Sequence, residues 1–300
     1  MRSSTKKQRC WLLSSAPRIN EKVYEIEHLS GALGAIIHGI NLDRSLEERE
    51  IEFLKTAIND FEVIFFRNQP IHPKSHVRFA CYFGVPQLHE AYGNLDGYPE
   101  ITILENNLAN PSKIEAWHAD MTFRSRPPSG SVLRGLIVPE RGGDTMFASM
   151  SAAFEGLSDK MQSFLSGLVA VHDFSHGFKE SLNEPGGRER LSHMIKNNPP
   201  VEHPVIRAHP ESGKKGIFVN SLFTLKIKGM KQKESSSLLK FIWEHLTLPE
   251  FTCRFKWEQN SIAFWDNRIT QHKPVNDYWP AERLMHRVTI EDGCAPSHLI

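Results

Sequence analysis

Short apolar runs bounded by turn residues recur along almost the whole chain, and this spacing constrains the fold more than any other feature. The densest is Glu62-Val63-Ile64-Phe65-Phe66, closed by Asn68-Gln69-Pro70. Four β-branched or aromatic side chains in a row belong to a strand covered on both faces. Similar runs lie at 33–42, 101–104, 131–137, 145–148, 216–219, 253–257, 261–265 and 286–290. Leu46, Ile51, Leu54 and Ile58 form a helical stripe that predicts a helix over 46–60,. Further helices are expected over 75–83, ending on a left-handed cap at Gly84, over 151–168 and over 232–245,. Short strands between turns, with helices gathered in insertions, predict a mainly β fold with helical decoration (α+β). An antiparallel sandwich or jelly roll fits this better than a doubly wound sheet. Such folds hold 300 residues as one domain,, so one domain is expected over 23–300. A basic, Ser-rich and disordered tail is expected over 1–22.

Charge and cysteine content narrow the function classes. Thirty-six basic residues against 35 acidic ones leave a net charge of +1, which gives no electrostatic reason for a nucleic-acid or anionic-membrane partner. A small-molecule partner is expected. Cys10, Cys81, Cys253 and Cys294 stand far apart without a C-x-x-C pair, so no disulfide framework or thiolate zinc site is indicated, and a cytoplasmic location suits them. No apolar stretch approaches 18 residues, which gives no support for a membrane helix. Residues 179–200, rich in Gly, Asn, Pro and charge, read as a mobile insertion or lid,. The segment 95–112, with Gly, Pro and several Asn around 101–104, reads as a long loop over a site,.

Fifteen histidines make any single one uninformative. His118-Ala119-Asp120 is more pointed, because residues i and i+2 of a strand face the same way and can share one ion. His209-Pro210-Glu211 has the same form, but its proline and the following Ser212-Gly213 mark a turn,. A 2-His-1-carboxylate triad, which leaves positions open on Fe(II), needs a third ligand. His272, beyond Trp265-Asp266-Asn267-Arg268, is one candidate among many.

Four ordered stretches resemble the taurine dioxygenase (TauD/TfdA) family: Trp117 to Phe123, Gly142 to Thr145, Trp265 to His272 and Arg283 to Thr289. The likeness runs from about Leu29 to Glu291 and includes His209-Pro210 and Phe218-Val219-Asn220. It implies a double-stranded β-helix, the jelly roll, with Fe(II) held by His118, Asp120 and His272 and 2-oxoglutarate as co-substrate. It implies that Thr145 and Arg283 hold the distal carboxylate of 2-oxoglutarate. A strand would turn Arg283 and Arg287 the same way, so two guanidinium groups can serve two anions in one cavity.

The resemblance further implies a sulfonate head held by His89, Arg287 and the backbone of Met121, with Tyr92, Phe178 and Phe223 lining the pocket. The implied reaction hydroxylates the carbon next to the sulfonate of taurine or a related organosulfonate, releasing sulfite and an aldehyde. One position departs from the pattern: Ile114 stands where the family places an asparagine near the substrate amine. Oxidation of an alkylsulfate or of an amino acid derivative on the same scaffold is the alternative. A metal- and anion-binding jelly roll without turnover is a third reading, which Thr145 and Arg283 argue against. Relatives in this family commonly form dimers or larger assemblies, and the sequence specifies no oligomeric state.

Overall fold

The computed structural model describes residues 24–88, 92–112 and 114–298; the tail expected over 1–22 lies outside the described residues. A large sheet runs in the order Ile26–His28, Ala35–Ile37, Val63–Phe66, Ile262–Asp266, Gly130–Ile137, Arg283–Glu291, Tyr98–Asn106 and Asn94–Leu95, and Val85–Gln87 also pairs with Arg283–Glu291. A second sheet of three strands, Thr252–Phe255, Thr145–Ser149 and Thr270–Pro274, is antiparallel throughout.

The run that reads most clearly in the sequence shows how the layers assemble. Val63 and Phe65 point into the core shared with Phe147 and Phe255 of the smaller sheet, where Phe65 stacks on Phe255 at 4.0 Å between centroids. Ile64 and Phe66 point the other way, into a core closed by the helices Glu48–Phe61 and Pro73–Cys81 through Leu54, Ile58 and Phe79. Period-two alternation with both faces apolar is what a strand between two layers requires. Each buried aromatic contributes about 1.5–3 kcal/mol by area alone. The result is a jelly roll whose interior lies between the two sheets. A third core joins the helices Met150–Glu155, Asp159–Ser166 and Gln232–Leu246 to the hairpin Ile206–Ala208 and Lys215–Ile217.

Several expected elements differ in extent. The run 33–42 contracts to the strand Ala35–Ile37. The helix expected over 151–168 is two helices, because Ser158 accepts the Met161 N–H and starts a second one after Gly156. Helix Pro73–Cys81 ends on Tyr82 in the right-handed region, not on a left-handed Gly84. Gly84 serves close approach instead: a Cβ there would lie 2.7 Å from the Glu291 carbonyl oxygen. Much of 95–112 is the strand Tyr98–Asn106, paired with Arg283–Glu291. Residues 179–200 contain three short helices, Lys179–Asn183, Gly187–Arg190 and Ser192–Asn197. No helix among the described residues is long and apolar enough to cross a membrane.

Candidate metal centre and anion pockets

His272 lies on Thr270–Pro274, directly opposite Phe147 and next to the strand that begins with Thr145. The spacing of His118 and Asp120 predicts a strand, but the two do not lie on a regular one. His118 makes a single bridge with His272, through His118 N–H to His272 O at 3.0 Å and His272 N–H to His118 O at 2.7 Å. The chain then turns, with Met121 at φ 48°. The turn brings the carboxylate round to the imidazoles: His118 Nε2 is 3.7 Å and His272 Nε2 4.0 Å from Asp120 Oδ1. Two atoms each about 2.1 Å from one ion lie no more than about 4.2 Å apart, so these distances suit a shared metal. Among the described residues this is the one group of three side chains of this kind gathered tightly enough to hold an ion.

The remaining atoms of His118 and Asp120 are committed elsewhere, whereas His272 Nδ1 is buried with no hydrogen-bond partner among the described residues. His118 Nδ1 is 2.9 Å from the Ala116 carbonyl oxygen, so its proton belongs there and Nε2 is the free donor. Ser131 Oγ donates to Asp120 Oδ2 at 3.0 Å, leaving Oδ1 toward the imidazoles. Arg287 Nη1 also donates to Oδ1, at 3.2 Å. Burial alone would raise the Asp120 carboxyl, but Arg287 and the two imidazoles hold it well below the usual carboxylate range. Burial pushes the His118 imidazole down, and that of His272 to about 3. Two neutral imidazoles and one carboxylate are the ligand forms a metal needs, and this donor set is the facial triad of non-haem Fe(II) sites.

Asn267 joins the two halves of the centre. Its Oδ1 accepts the Asp120 N–H at 2.7 Å, and its Nδ2 donates to the carbonyls of Asp120 and Pro128, each at 3.0 Å. Its neighbours anchor the same turn: Asp266 accepts from Arg268 and lies 2.9 Å from His209 Nε2, while Glu211 also accepts from Arg268. His209-Pro210-Glu211 is thus a turn that braces the approach to His272, not a metal site. Sequence reasoning missed Ser131 and Asn267. Losing such support around a metal ligand lowers affinity about 10–100-fold, and Ser131→Ala and Asn267→Ala are each expected to do so in Fe(II) or Mn(II) titrations. An affinity equal to wild type would show that these contacts do not orient Asp120.

Arg283 and Arg287 both face the interior from Arg283–Glu291, on the side of core residue Met285. They are differently placed. Arg287 has Asp120, whereas Arg283, equally buried, has no carboxylate within 4.0 Å among the described residues. Its guanidinium lies 6.0 Å from the Trp257 ring centre. The Trp257 indole N–H donates to Thr145 Oγ1 at 2.9 Å, which leaves the Thr145 proton free to donate in turn. A planar guanidinium with no carboxylate partner of its own is suited to accept one from a ligand.

A cavity of about 30 Å³ beside the triad is lined by Tyr92, Ile114, Met121, Phe123, Phe178, Met194, Leu222, Phe223 and Arg287. The structure therefore brings together every pocket residue implied by the resemblance except His89, which lies outside the described residues. It adds Phe123, Met194 and Leu222. Among the described residues, Asp120 is the only carboxylate that lines the cavity.

A family model described as "Taurine catabolism dioxygenase TauD, TfdA family" matches residues 25–289. An alkylsulfatase of Acinetobacter baylyi is 36% identical over 270 residues, covering 89% of this chain and 84% of its own. An alpha-ketoglutarate-dependent sulfate ester dioxygenase of Pseudomonas putida is 32% identical over 282 residues, covering 93% and 92%. The crystal structure of a taurine dioxygenase from Burkholderia xenovorans superposes with a TM-score of 0.78 at 36% identity over 91% of each chain. With this match over most of its length and a centre suited to the same metal, the chain belongs to the taurine catabolism dioxygenase TauD, TfdA family and is an Fe(II)- and 2-oxoglutarate-dependent dioxygenase.

Proposed function

We propose that the chain oxidises the carbon next to the sulfate or sulfonate group of a substrate with an apolar tail, an alkyl sulfate first and an alkylsulfonate second. In this reading residues 23–300 form one jelly-roll domain. His118, Asp120 and His272 hold Fe(II), Thr145 and Arg283 hold the distal carboxylate of 2-oxoglutarate, and Arg287 holds the anionic head. The observation that carries it is the cavity wall, in which Arg287 stands together with Ile114, Phe123, Phe178, Leu222 and Phe223. Likeness to an alkylsulfatase and a sulfate ester dioxygenase supports the same class.

Bound Fe(II) supplies the oxidant from O₂ as 2-oxoglutarate is decarboxylated to succinate. The protein's part is to orient and to exclude water. Arg287 sets the position of the anion, and the apolar wall turns the adjoining carbon toward the triad. A hydroxyl placed on a carbon that already bears a sulfate ester makes an unstable hemiacetal-like adduct. It expels sulfate and leaves an aldehyde; a sulfonate would expel sulfite.

Taurine is the second reading, favoured by the likeness to the Burkholderia xenovorans enzyme and by Tyr92 in the wall. Its ammonium would face Ile114, and a buried polar group left unpaired costs about 1–3 kcal/mol or more. Butyl sulfate is therefore expected to exceed taurine in kcat/KM by about 5-fold to 150-fold, with aldehyde release as the common readout. A preference of about tenfold or more for taurine would overturn the apolar-tail reading.

A further inference from the structure

The cavity beside the triad is small, about 30 Å³. As an alkyl tail lengthens, it comes up against this wall, and some part of the wall must yield to a longer one. His118, Asp120 and Met121 belong to the metal-binding segment, and Arg287 is part of the large sheet. Phe123 and Phe223 pack ring against ring at 5.0 Å, with Phe174 behind Phe123 at 5.2 Å. These groups are held by the core.

Met194 reaches the cavity from the insertion, as a buried member of the same apolar cluster. It lies on Ser192–Asn197, the last of the three short helices in the insertion, where Leu191, Met194 and Ile195 form one stripe against Met121, Phe123, Phe174 and Phe223. The insertion's helices pack tightly on one another, because a Cβ at Gly187 would collide with the Ser181 carbonyl oxygen. Rotation of a side chain opens the cavity without unpacking these helices. Methionine is suited to it, being unbranched, with three rotatable bonds and no hydrogen bond to break.

We propose that Met194 is the specificity-determining residue for tail length, a thioether gate that turns aside for a linear alkyl chain and stops a longer one. The proposal rests on the apolar-tail reading above. With the head at Arg287 and the oxidised carbon at the triad, the tail runs along the apolar wall, to which the last helix of the insertion contributes Met194. Its replacement by alanine removes three heavy atoms, room for about two or three methylenes. Each methylene newly buried is worth about fourfold in kcat/KM.

The test is a kcat/KM series over ethyl, butyl, hexyl, octyl and decyl sulfate, scored by aldehyde and sulfate release, for wild type, Met194→Ala, Met194→Leu and Met194→Trp. The preferred chain is expected to lengthen in Met194→Ala, stay in place in Met194→Leu and shorten in Met194→Trp, with Fe(II) content unchanged. Because alanine and tryptophan act in opposite directions, either variant alone suffices if the other fails to fold. The same optimum in all four proteins would overturn the gate while leaving the function intact. Failure of the wild type to release aldehyde from any chain length would instead overturn the function reading and the gate with it.

Discussion

Replacing any one of His118, Asp120 or His272 with alanine is expected to abolish succinate formation. A facial triad has no spare protein ligand, so the loss should exceed the roughly 10–100-fold seen when only the support of a ligand is removed. The three variants should differ in stability. Asp120 is the partner of buried Arg287 at 3.2 Å, and removing one member of a buried pair costs about 3–5 kcal/mol. Asp120→Ala should therefore melt well below the two histidine variants, whose neutral rings carry no such charge. Metal content, succinate release and Tm read on the same preparations check this. Near wild-type turnover in any one variant would refute the ligand set.

Much of this centre was legible because its parts are local in sequence. His118 and Asp120 stand two apart, Arg283 and Arg287 four apart, and the buried runs such as Val63–Phe66 carry their own periodicity. The geometry behind one of these spacings was not legible. His118 and Asp120 converge through a bridge and a turn at Met121, not through the pleat of a strand. Thr270–Pro274, the strand that bears His272, did not read as one because its residues are mostly polar. The supporting residues lie further off: Ser131 is 11 positions from Asp120 and Asn267 is 147. Only chain folding makes them neighbours. Met194 sits in a stretch whose Gly, Pro, Asn and charge read as loop, and the stripe of Leu191, Met194 and Ile195 was the signal available there.

Arg283→Ala is expected to weaken 2-oxoglutarate and Arg287→Ala to weaken the primary substrate, each with little effect on the other ligand. The two guanidinium groups face the same interior from one strand, so proximity alone does not divide their roles. Their partners do. Arg283 stands over Trp257, whose indole N–H engages Thr145, whereas Arg287 lines the apolar cavity and touches Asp120. Truncating one partner of a buried, hydrogen-bonded charge pair costs about 2–5 kcal/mol, or about 30-fold to several thousand-fold in affinity. Burial already pushes the Arg283 guanidinium down from its ordinary value, and a bound carboxylate would relieve that strain on the charged form. Arg283→Lys keeps a charge but not the planar fork, so it should recover only part of the loss. Anaerobic titration of the Fe(II) protein with 2-oxoglutarate, followed by substrate in the presence of saturating 2-oxoglutarate, measures the two affinities separately. Equal losses for both ligands in either variant would refute the division.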